Sequence, residues 1–265
     1  MAREPAPGPI GEPVTRSTDP ARASVPALAD YDAVLFDLDG VLTPTAQVHM
    51  HAWQVMFDEL FAAWDIRPAY SERDYFAHLD GRKRYDGVAA LLRSRDVEVP
   101  WGRPDDDPSA DTVCGIGNRK NVVFTRVLEE EGIAAYPGSL AVLDVLERGG
   151  VAVAVVSSSK NARPVLAAAG LTERFAVVID GVVAERDGLP SKPAPDVFLA
   201  GARALGVDPA RAAVIEDAVS GVASGAAGGF GLVVGVDRGT GAAGLRDAGA
   251  HLIVTDLDDL LENDA

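Results

Sequence analysis

Acidic side chains occur in close pairs at two places along the chain, each directly after an apolar run. The first pair is Asp37 and Asp39, and the second is Glu216 and Asp217. Like charges this close repel one another, and a divalent cation relieves the repulsion. Mg²⁺ prefers oxygen ligands of this kind. We therefore expect a Mg²⁺ site made by a carboxylate oxygen of Asp37, the main-chain carbonyl of Asp39 and the second acid pair, with Asp217 the stronger candidate of that pair.

Asp37 also has the chemistry of a nucleophile. A carboxylate that attacks phosphorus forms an aspartyl-phosphate, which divides one difficult displacement into two easier ones. The side chain of Asp39 is then free to act as general acid and base. Lys192 provides a point charge for the phosphoryl oxygens, and the Ser157 hydroxyl and the Ser158 N–H provide hydrogen bonds. This set of residues predicts phosphoryl transfer assisted by Mg²⁺.

Each of these residues also has a purely structural interpretation. Asp37 and Asp39 can be solvated acids in a turn at the end of a strand. Asp217 can cap the helix that follows it, a role that is compatible with metal binding. Lys192 can be an exposed loop lysine, and the serine run can cap a helix. The choice depends on whether the strands bring these residues together.

From Tyr136 onward, apolar runs alternate with helical patterns, which is typical of a parallel, doubly wound sheet. The predicted strands are Tyr31–Asp37, Val151–Val156, Ala176–Asp180, Ala213–Glu216, Gly231–Val236 and Leu252–Val254. The predicted helices are Ser139–Arg148, Asn161–Ala169, Pro195–Leu205, Val219–Ala227 and Ala242–Ala248. A long loop carries Lys192. In such α/β sheets the active site lies at the carboxyl ends of the strands, where the candidate residues fall.

Residues 45–133 interrupt this alternation and have helical patterns only. Predicted helices cover about residues 46–64, 71–95 and 118–131, with a break at Asp80-Gly81. Because the segment follows the first strand, we expect it to lie over the carboxyl edge of the sheet as a lid. The expected domains are a disordered leader at 1–29, an α/β core at 30–44 and 134–265, and an all-helical cap at 45–133.

The composition argues against several classes of protein. The net charge of −16 over 265 residues does not suit a nucleic-acid or membrane-surface binder, which needs a basic face. No apolar run approaches the ~20 residues of a membrane-spanning helix. Cys114 is the only cysteine, so no internal disulfide can form, which suits a reducing cytoplasm. We expect a cytoplasmic monomer.

Four strings, FDLDGVLT, VVSSSKNA, SKPAPD and VIEDAVSG, follow one another in this order along the chain. As an ordered set they resemble the four motifs of the haloacid dehalogenase superfamily, whose members have a Rossmann-like core. The resemblance covers about residues 31–261. It implies the roles inferred above for Asp37, Asp39, Ser157 and Lys192, and it makes the second acid pair metal ligands, with Mg²⁺ as the cofactor.

Further residues resemble the β-phosphoglucomutases within that superfamily. The cap carries the pattern T-x-x-x-H-x-x-x-W, a glycine three residues before an arginine, and an R-K-N string, and the second motif continues into S-K-N. The substrate-binding residues that this resemblance implies are Thr45, His49, Trp53, Gly81, Arg84, Lys120, Asn121, Ser159, Lys160 and Asn161. The implied partners are phosphorylated sugars, namely β-glucose 1-phosphate and glucose 1,6-bisphosphate. Alternatively, His49 is a surface histidine and Trp53 belongs to the cap core.

Pro44 departs from this pattern, because the mutases usually carry an aspartate there within T-D-T. Proline fixes φ and lacks an N–H. The motion of the hinge between core and cap, and any proton handling by the missing acid, therefore stay open. The acidic loop around Asp105–Asp107 is also longer than in the family pattern.

The first half of the reaction does not distinguish a mutase from a phosphatase. Attack of a sugar hydroxyl on phosphorylated Asp37 gives a mutase, whereas attack of water gives a sugar-phosphate phosphatase. Water is present at ~55 M, so a mutase must exclude it and position the sugar, for which effective molarities reach ~10⁵ M or more. Arg84 and Lys120 supply cations for the second phosphate of a bisphosphate, which favours the mutase. A non-catalytic binding module on the same scaffold is the third hypothesis.

Overall fold

The structure, a computed structural model, describes residues 28–79 and 84–261 of the chain. The strands are β1 (Ala33–Phe36), β2 (Ala152–Val156), β3 (Val177–Ile179), β4 (Ala212–Glu216), β5 (Leu232–Val236) and β6 (Leu252–Val254). The α-helices are α1 (Thr45–Ala63), α2 (Glu72–Asp74), α3 (Arg84–Arg93), α4 (Val113–Glu131), α5 (Pro137–Gly149), α6 (Ala162–Ala168), α7 (Gly181–Arg186), α8 (Asp196–Leu205), α9 (Val219–Ala227) and α10 (Ala242–Asp247). Short 3-10 turns lie at Leu28–Asp30, Thr172–Arg174, Pro209–Arg211 and Leu257–Leu260, and a π-helical turn lies at Tyr75–Leu79.

The six strands form one parallel sheet in the order β3-β2-β1-β4-β5-β6. β1 lies at the centre, where Phe36 is in register with Val155 of β2 and Ile215 of β4. Alternate residues of β1 belong to separate apolar cores on the two faces, so the strand is a continuous apolar run. The strand order reverses at β1, which opens a crevice at its carboxyl end. The predicted doubly wound, Rossmann-like core is confirmed.

The cap consists of helices α1 to α4, inserted between β1 and α5. Its two long helices, α1 and α4, pack against each other around aromatic side chains. Trp53 stacks on Phe57 with ring centroids 5.5 Å apart, and Phe57 stacks on Tyr70 at 5.4 Å. Trp53 is buried, so it belongs to the cap core. The helical cap is confirmed, and its limits at residues 45 and 133 stay a prediction.

Two elements differ from the sequence-based prediction. The prediction of one long loop after β3 is wrong, because this segment contains α7. The Asp180 carboxylate accepts hydrogen bonds from the first N–H groups of α7 and so stabilises its start. The sequence did not predict this helix because two valines lie in its first turn, and β-branched residues have low helix propensity. Helix α4 begins at Val113, earlier than predicted, because the Thr112 hydroxyl accepts a hydrogen bond from the Gly115 N–H.

The predicted leader mostly lies outside the described residues, as does the predicted helix break at Asp80-Gly81. Leu28 is only 8% exposed and packs into the main apolar core, so the core includes this residue, which the prediction had placed in the leader. Across residues 28–79 and 84–261, no helix combines the length and the apolar character that crossing a membrane requires.

Candidate active site

Three neighbouring strands end at candidate residues. β1 precedes Asp37, β2 precedes Ser157, and β4 ends at Glu216. The strands are parallel and in register, so all three residues lie at one edge of the sheet. The Asp37 N–H donates a hydrogen bond to the Ile215 carbonyl at 2.9 Å, which fixes the first acidic loop against β4. The sheet therefore brings together residues that lie up to about 180 positions apart in the sequence.

Lys192 connects the two acid pairs. Its Nζ lies 2.5 Å from Asp37 Oδ1 and 2.8 Å from Glu216 Oε1, and it also donates to the Val156 carbonyl at 3.0 Å. Its side chain is only 6% exposed. Burial opposes its ionisation, but the two carboxylates outweigh burial and raise the pKa of Lys192 above its ordinary value. Lys192 is thus a permanent cation beside Asp37 and not an exposed loop lysine.

Asp39 has the setting of a group that exchanges protons. Burial, and then the nearby Asp37 carboxylate, raises the pKa of Asp39 to about 6. The Thr45 hydroxyl donates a hydrogen bond to one Asp39 oxygen, and Ser157 donates to the other at 3.4 Å. The Asp39 N–H donates to Asp37 Oδ2 at 2.8 Å. A carboxyl group with a pKa near neutrality can both give and take a proton in this crevice.

The two carboxylates of the second acid pair have different surroundings, and only that of Asp217 remains a candidate metal ligand. Both Glu216 oxygens are engaged, one by Lys192 and the other by the Ala218 N–H at 2.6 Å. Burial, and then Glu216 and Asp37, raises the pKa of Asp217 to about 8. Ala218 occupies the cap position of α9, so the helix-cap interpretation of Asp217 does not hold.

Three oxygen groups at this edge have the chemistry for Mg²⁺. They are the Asp37 carboxylate, the Asp39 carbonyl and the Asp217 carboxylate, all of the hard type that Mg²⁺ prefers. Gly40 has φ +82°, and a Cβ there would collide with the Asp217 carboxylate, so the two acidic loops are in direct contact. The residues described here contain no group of three or more His, Cys, Asp or Glu side chains arranged to hold a metal. The predicted set has three carboxylates, those of Asp37, Glu216 and Asp217, plus the Asp39 carbonyl. Because both Glu216 oxygens are already hydrogen-bonded, the candidates that remain are two carboxylates and the carbonyl. The raised pKa of Asp217 marks buried negative charge that a cation would relieve.

The serine loop after β2 is folded around Ser157. Ser157 is buried, and its hydroxyl oxygen accepts a hydrogen bond from the Ser159 N–H at 3.0 Å. The Ser159 hydroxyl oxygen accepts from the Asn161 N–H at 3.1 Å, and Ser158 is exposed. α6 begins at Ala162 with Asn161 in the cap position, so the serines do not cap it directly.

The cap places a buried cation over this edge. Lys120 of α4 is 3% exposed, and its Nζ lies 2.6 Å from His49 Nδ1 of α1. The same Nζ lies over the rings of Trp53, at 5.2 Å, and Phe124, at 4.8 Å. Burial, and then Arg84, lowers the pKa of Lys120 to about 7, with Asp39 acting in the opposite direction. Burial, and then Lys120, lowers the pKa of His49 to about 3, so His49 is a neutral partner and not a surface histidine.

One side-chain oxygen joins the cap to the core. Asn121 Oδ1 accepts a hydrogen bond from Arg84 Nη2 at 3.0 Å and another from Asn161 Nδ2 of the core at 2.8 Å. Thr45, the first residue of α1, adds the contact with Asp39. Two of the cap residues predicted from the sequence, Thr45 and Asn121, therefore contact core residues in this conformation.

One predicted substrate residue, Lys160, is paired away from the other candidates. Lys160 Nζ pairs with Glu185 at 2.6 Å, and the Lys160 side chain is 58% exposed. Gly81, another predicted substrate residue, lies outside the described residues.

The sequence analysis missed Arg238 and Thr240, which follow β5 at the same edge. Arg238 Nε donates a hydrogen bond to the Gly40 carbonyl at 3.0 Å, and the Thr240 hydroxyl donates to the Asp217 carbonyl at 3.2 Å. The signal was available, because both residues follow a predicted strand, as the other candidates do.

The chain belongs to the haloacid dehalogenase-like hydrolase family, whose model matches residues 31–229. Within it, the chain is similar to the β-phosphoglucomutases of Mycobacterium bovis and Mycobacterium tuberculosis. It is 48% identical to each over 239 residues, which is 86% of this chain and 91% of each relative. The resemblance predicted from the motifs is confirmed, and the chain is an enzyme.

The chain is also similar to a phosphatase and to a solved mutase structure. Hexitol phosphatase A of Escherichia coli is 30% identical over 199 residues, which is 74% of this chain and 78% of that protein. The crystal structure of β-phosphoglucomutase from Clostridium difficile has a TM-score of 0.64 at 24% identity and covers 87% of this chain and 93% of that chain. At that identity the structural match supports the fold alone.

Proposed function

We propose that this enzyme is a Mg²⁺-dependent β-phosphoglucomutase that converts β-glucose 1-phosphate to glucose 6-phosphate through glucose 1,6-bisphosphate. The observation that carries the proposal is the position of two cap cations. Arg84 donates to Asn121, which contacts Asn161 of the core, and Lys120 lies near enough to Arg84 and Asp39 for both to act on its pKa. A bisphosphate needs cations for the phosphate that is not transferred, and a hydrolase acting on a monophosphate does not. The 48% identity to the mycobacterial enzymes supports the same conclusion.

In the proposed reaction, an Asp37 oxygen attacks the phosphorus of the sugar bisphosphate, and the bond from phosphorus to the sugar oxygen breaks. Asp39 gives its proton to that leaving oxygen. In the second half, Asp39 takes the proton of a sugar hydroxyl, whose oxygen attacks the phosphorus and releases Asp37. Lys192 stays charged throughout and holds the Asp37 carboxylate in place.

The remaining predicted residues bind and orient the substrate. Ser157 and Lys192 would hold the transferring phosphoryl group, and Arg84, with Lys120, would hold the other phosphate. Mg²⁺, held by Asp37, the Asp39 carbonyl and Asp217, would neutralise charge on the phosphoryl oxygens when bound. We propose Glu216 as the residue that fixes Lys192, because Lys192 occupies one of its oxygens.

A product assay tests this proposal. Purified enzyme with Mg²⁺, β-glucose 1-phosphate and a catalytic amount of glucose 1,6-bisphosphate should form glucose 6-phosphate, and it should need the bisphosphate for full rate. Release of free glucose and inorganic phosphate in equal amounts would instead establish a sugar-phosphate phosphatase.

The phosphatase is the second candidate because hexitol phosphatase A is also similar and the core residues serve both reactions. The cap decides between them, since only a closed cap keeps water from the phosphorylated Asp37. The non-catalytic module is set aside, because the chain is an enzyme. The Asp37→Asn variant should lose turnover under either remaining candidate, since both need the Asp37 nucleophile.

The proposal includes a cytoplasmic location and a monomeric enzyme. Cys114 supports the first, because the chain has no second cysteine with which to form a disulfide, and the thiol is buried. Size-exclusion chromatography with light scattering tests the second, and a mass near 27.6 kDa is expected.

A further inference from the structure

A loop outside the four motifs contacts both acidic loops. It spans Asp237–Gly241, directly after β5, and we call it the bracing loop. Asp237 Oδ1 accepts hydrogen bonds from the N–H groups of Gly239 and Gly241, each at 3.0 Å. These two bonds close the loop on itself, so its other side chains project from a fixed backbone.

The bracing loop contacts the main chain of each acidic loop once. Arg238 Nε donates a hydrogen bond to the Gly40 carbonyl at 3.0 Å. The Thr240 hydroxyl donates to the Asp217 carbonyl at 3.2 Å. Gly40 and the Asp217 carboxylate are in direct contact, because a Cβ on Gly40 would collide with it. The bracing loop therefore holds both Gly40 and Asp217, and the contact between these two residues sets the distance between the two acidic loops.

Arg238 is itself held from several sides. Its Nη1 donates to the Thr255 carbonyl and to Asp256 Oδ2, each at 2.9 Å, and its guanidinium lies 4.0 Å from the centre of the Tyr136 ring. Its Nη2 is buried and has no hydrogen-bond partner among the described residues. A planar guanidinium can span several acceptors at fixed angles, which a lysine ammonium cannot. Such anchoring suits a residue that fixes a position.

We infer that Arg238 and Thr240 are positioning residues for the Mg²⁺ site, acting through Gly40 and Asp217. The inference rests on the Mg²⁺ assignment within the proposed function. Neither residue touches the reacting atoms in this role. Each keeps a carboxylate loop at the separation that lets Asp37 and Asp217 bind one ion.

A positioning role of Arg238 and a purely electrostatic effect of its charge predict changes of opposite sign in Mg²⁺ affinity. Arg238 is a cation near a cation site, so removing its charge alone would strengthen Mg²⁺ binding. Removing its hydrogen bond to Gly40 would loosen the acidic loop and weaken Mg²⁺ binding. The two explanations therefore predict opposite changes for Arg238→Met.

Isothermal titration calorimetry with MgCl₂ on the substrate-free protein provides the test. We expect the Mg²⁺ Kd of Arg238→Met to rise about tenfold, with Arg238→Lys between it and the wild type. Thr240→Val, which removes a hydroxyl from an exposed residue, should raise Kd about threefold. Arg246→Met makes the same charge change at an exposed position on α10 and should leave Kd within twofold of the wild type.

Steady-state kinetics adds a second readout. In Arg238→Met and Thr240→Val, saturating Mg²⁺ should restore kcat, and the KM for the sugar phosphate should stay unchanged. Unchanged or tighter Mg²⁺ binding in both variants would overturn the inference and leave the proposed function intact. If Arg238→Met fails to fold, Thr240→Val decides alone. Absence of Mg²⁺ binding to the wild type would refute the Mg²⁺ assignment and this inference with it.

Discussion

The core and the cap each bury one lysine, and the two lysines have opposite surroundings. Lys192 of the core lies within 2.8 Å of two carboxylates, and its pKa is raised. Lys120 of the cap contacts neutral His49 and two aromatic rings, and its pKa is lowered to about 7. The carboxylates of the core keep their lysine charged, whereas the contacts of the cap lysine are neutral, so an anion that binds beside Lys120 would raise its pKa and favour its charged form.

The largest effect should come from removing Lys192, the buried lysine of the core. In Lys192→Met, Asp37 and Glu216 would be buried without their cation, so we expect the free energy of unfolding to fall by about 3 kcal/mol or more. Phosphoryl transfer should fall about 10³-fold, because the charge beside the nucleophile is lost. Urea unfolding and the coupled assay for glucose 6-phosphate measure the two effects.

Arg211→Met is the matched control, since Arg211 pairs with Asp32 at an exposed site, with its side chain 58% exposed. Exposed pairs contribute at most ~1 kcal/mol, so stability and activity should barely change. Equal loss in both variants would show that Lys192 has no special role.

Removing the cap lysine should separate the two halves of the reaction. Lys120→Met should lower kcat/KM for sugar phosphates about 10²-fold, because a charge-assisted contact to the second phosphate is lost. Formation of the phosphoenzyme from acetyl phosphate, which has no second phosphate, should stay within about threefold of the wild type. Rapid-quench trapping measures that step. Arg126→Met, an exposed change further along α4, should affect neither reaction.

The same variant should be more stable than the wild type at low pH. The pKa of Lys120 falls from 10.5 to about 7 on folding, so the folded state binds fewer protons between these values. The contribution of Lys120 to stability is therefore lowest below about pH 7 and rises up to about pH 10.5. Lys120→Met should exceed the wild type by about 2 kcal/mol at pH 6, after the lost contacts with the aromatic rings are included.

Urea unfolding at pH 6, 8 and 9.5 checks this sign, and the advantage of the variant should shrink at each step. An advantage that is constant with pH would mean that the buried ammonium carries no desolvation cost.

The smallest effect should come from the contact between cap and core. Asn161→Ala removes the hydrogen bond to Asn121, a contribution of about 1 kcal/mol, so the cap should open more readily. We expect the ratio of phosphate release to glucose 6-phosphate formation to rise about fivefold. The Asn121→Ala and Asn161→Ala double variant should be no worse than the more impaired single variant, because both remove the same bond. A fully additive loss would contradict this.

The sequence predicted the core edge well because local pattern and topology determine it. Asp37, Ser157 and Glu216 each follow an apolar strand, and parallel strands bring such ends together. Helix α7 escaped prediction because the Asp180 cap outweighs the low propensity of the valines that follow.

The cap contacts and the bracing loop were harder to predict. The Lys120–His49 contact depends on how α1 and α4 pack. The sequence alone does not show which residues of the two helices lie opposite each other. Arg238 donates to the main-chain carbonyl of Gly40, and every residue type has such a carbonyl, so the sequence does not indicate this contact.

The Asn121 side chain has a consequence for how a ligand enters. Its oxygen occupies the donors of Arg84 and Asn161 at the same time, as a phosphate oxygen would. An anion that takes these two donors would replace the Asn121 oxygen, so its binding would exchange one acceptor for another, and a charged acceptor is favoured over an uncharged one in that exchange.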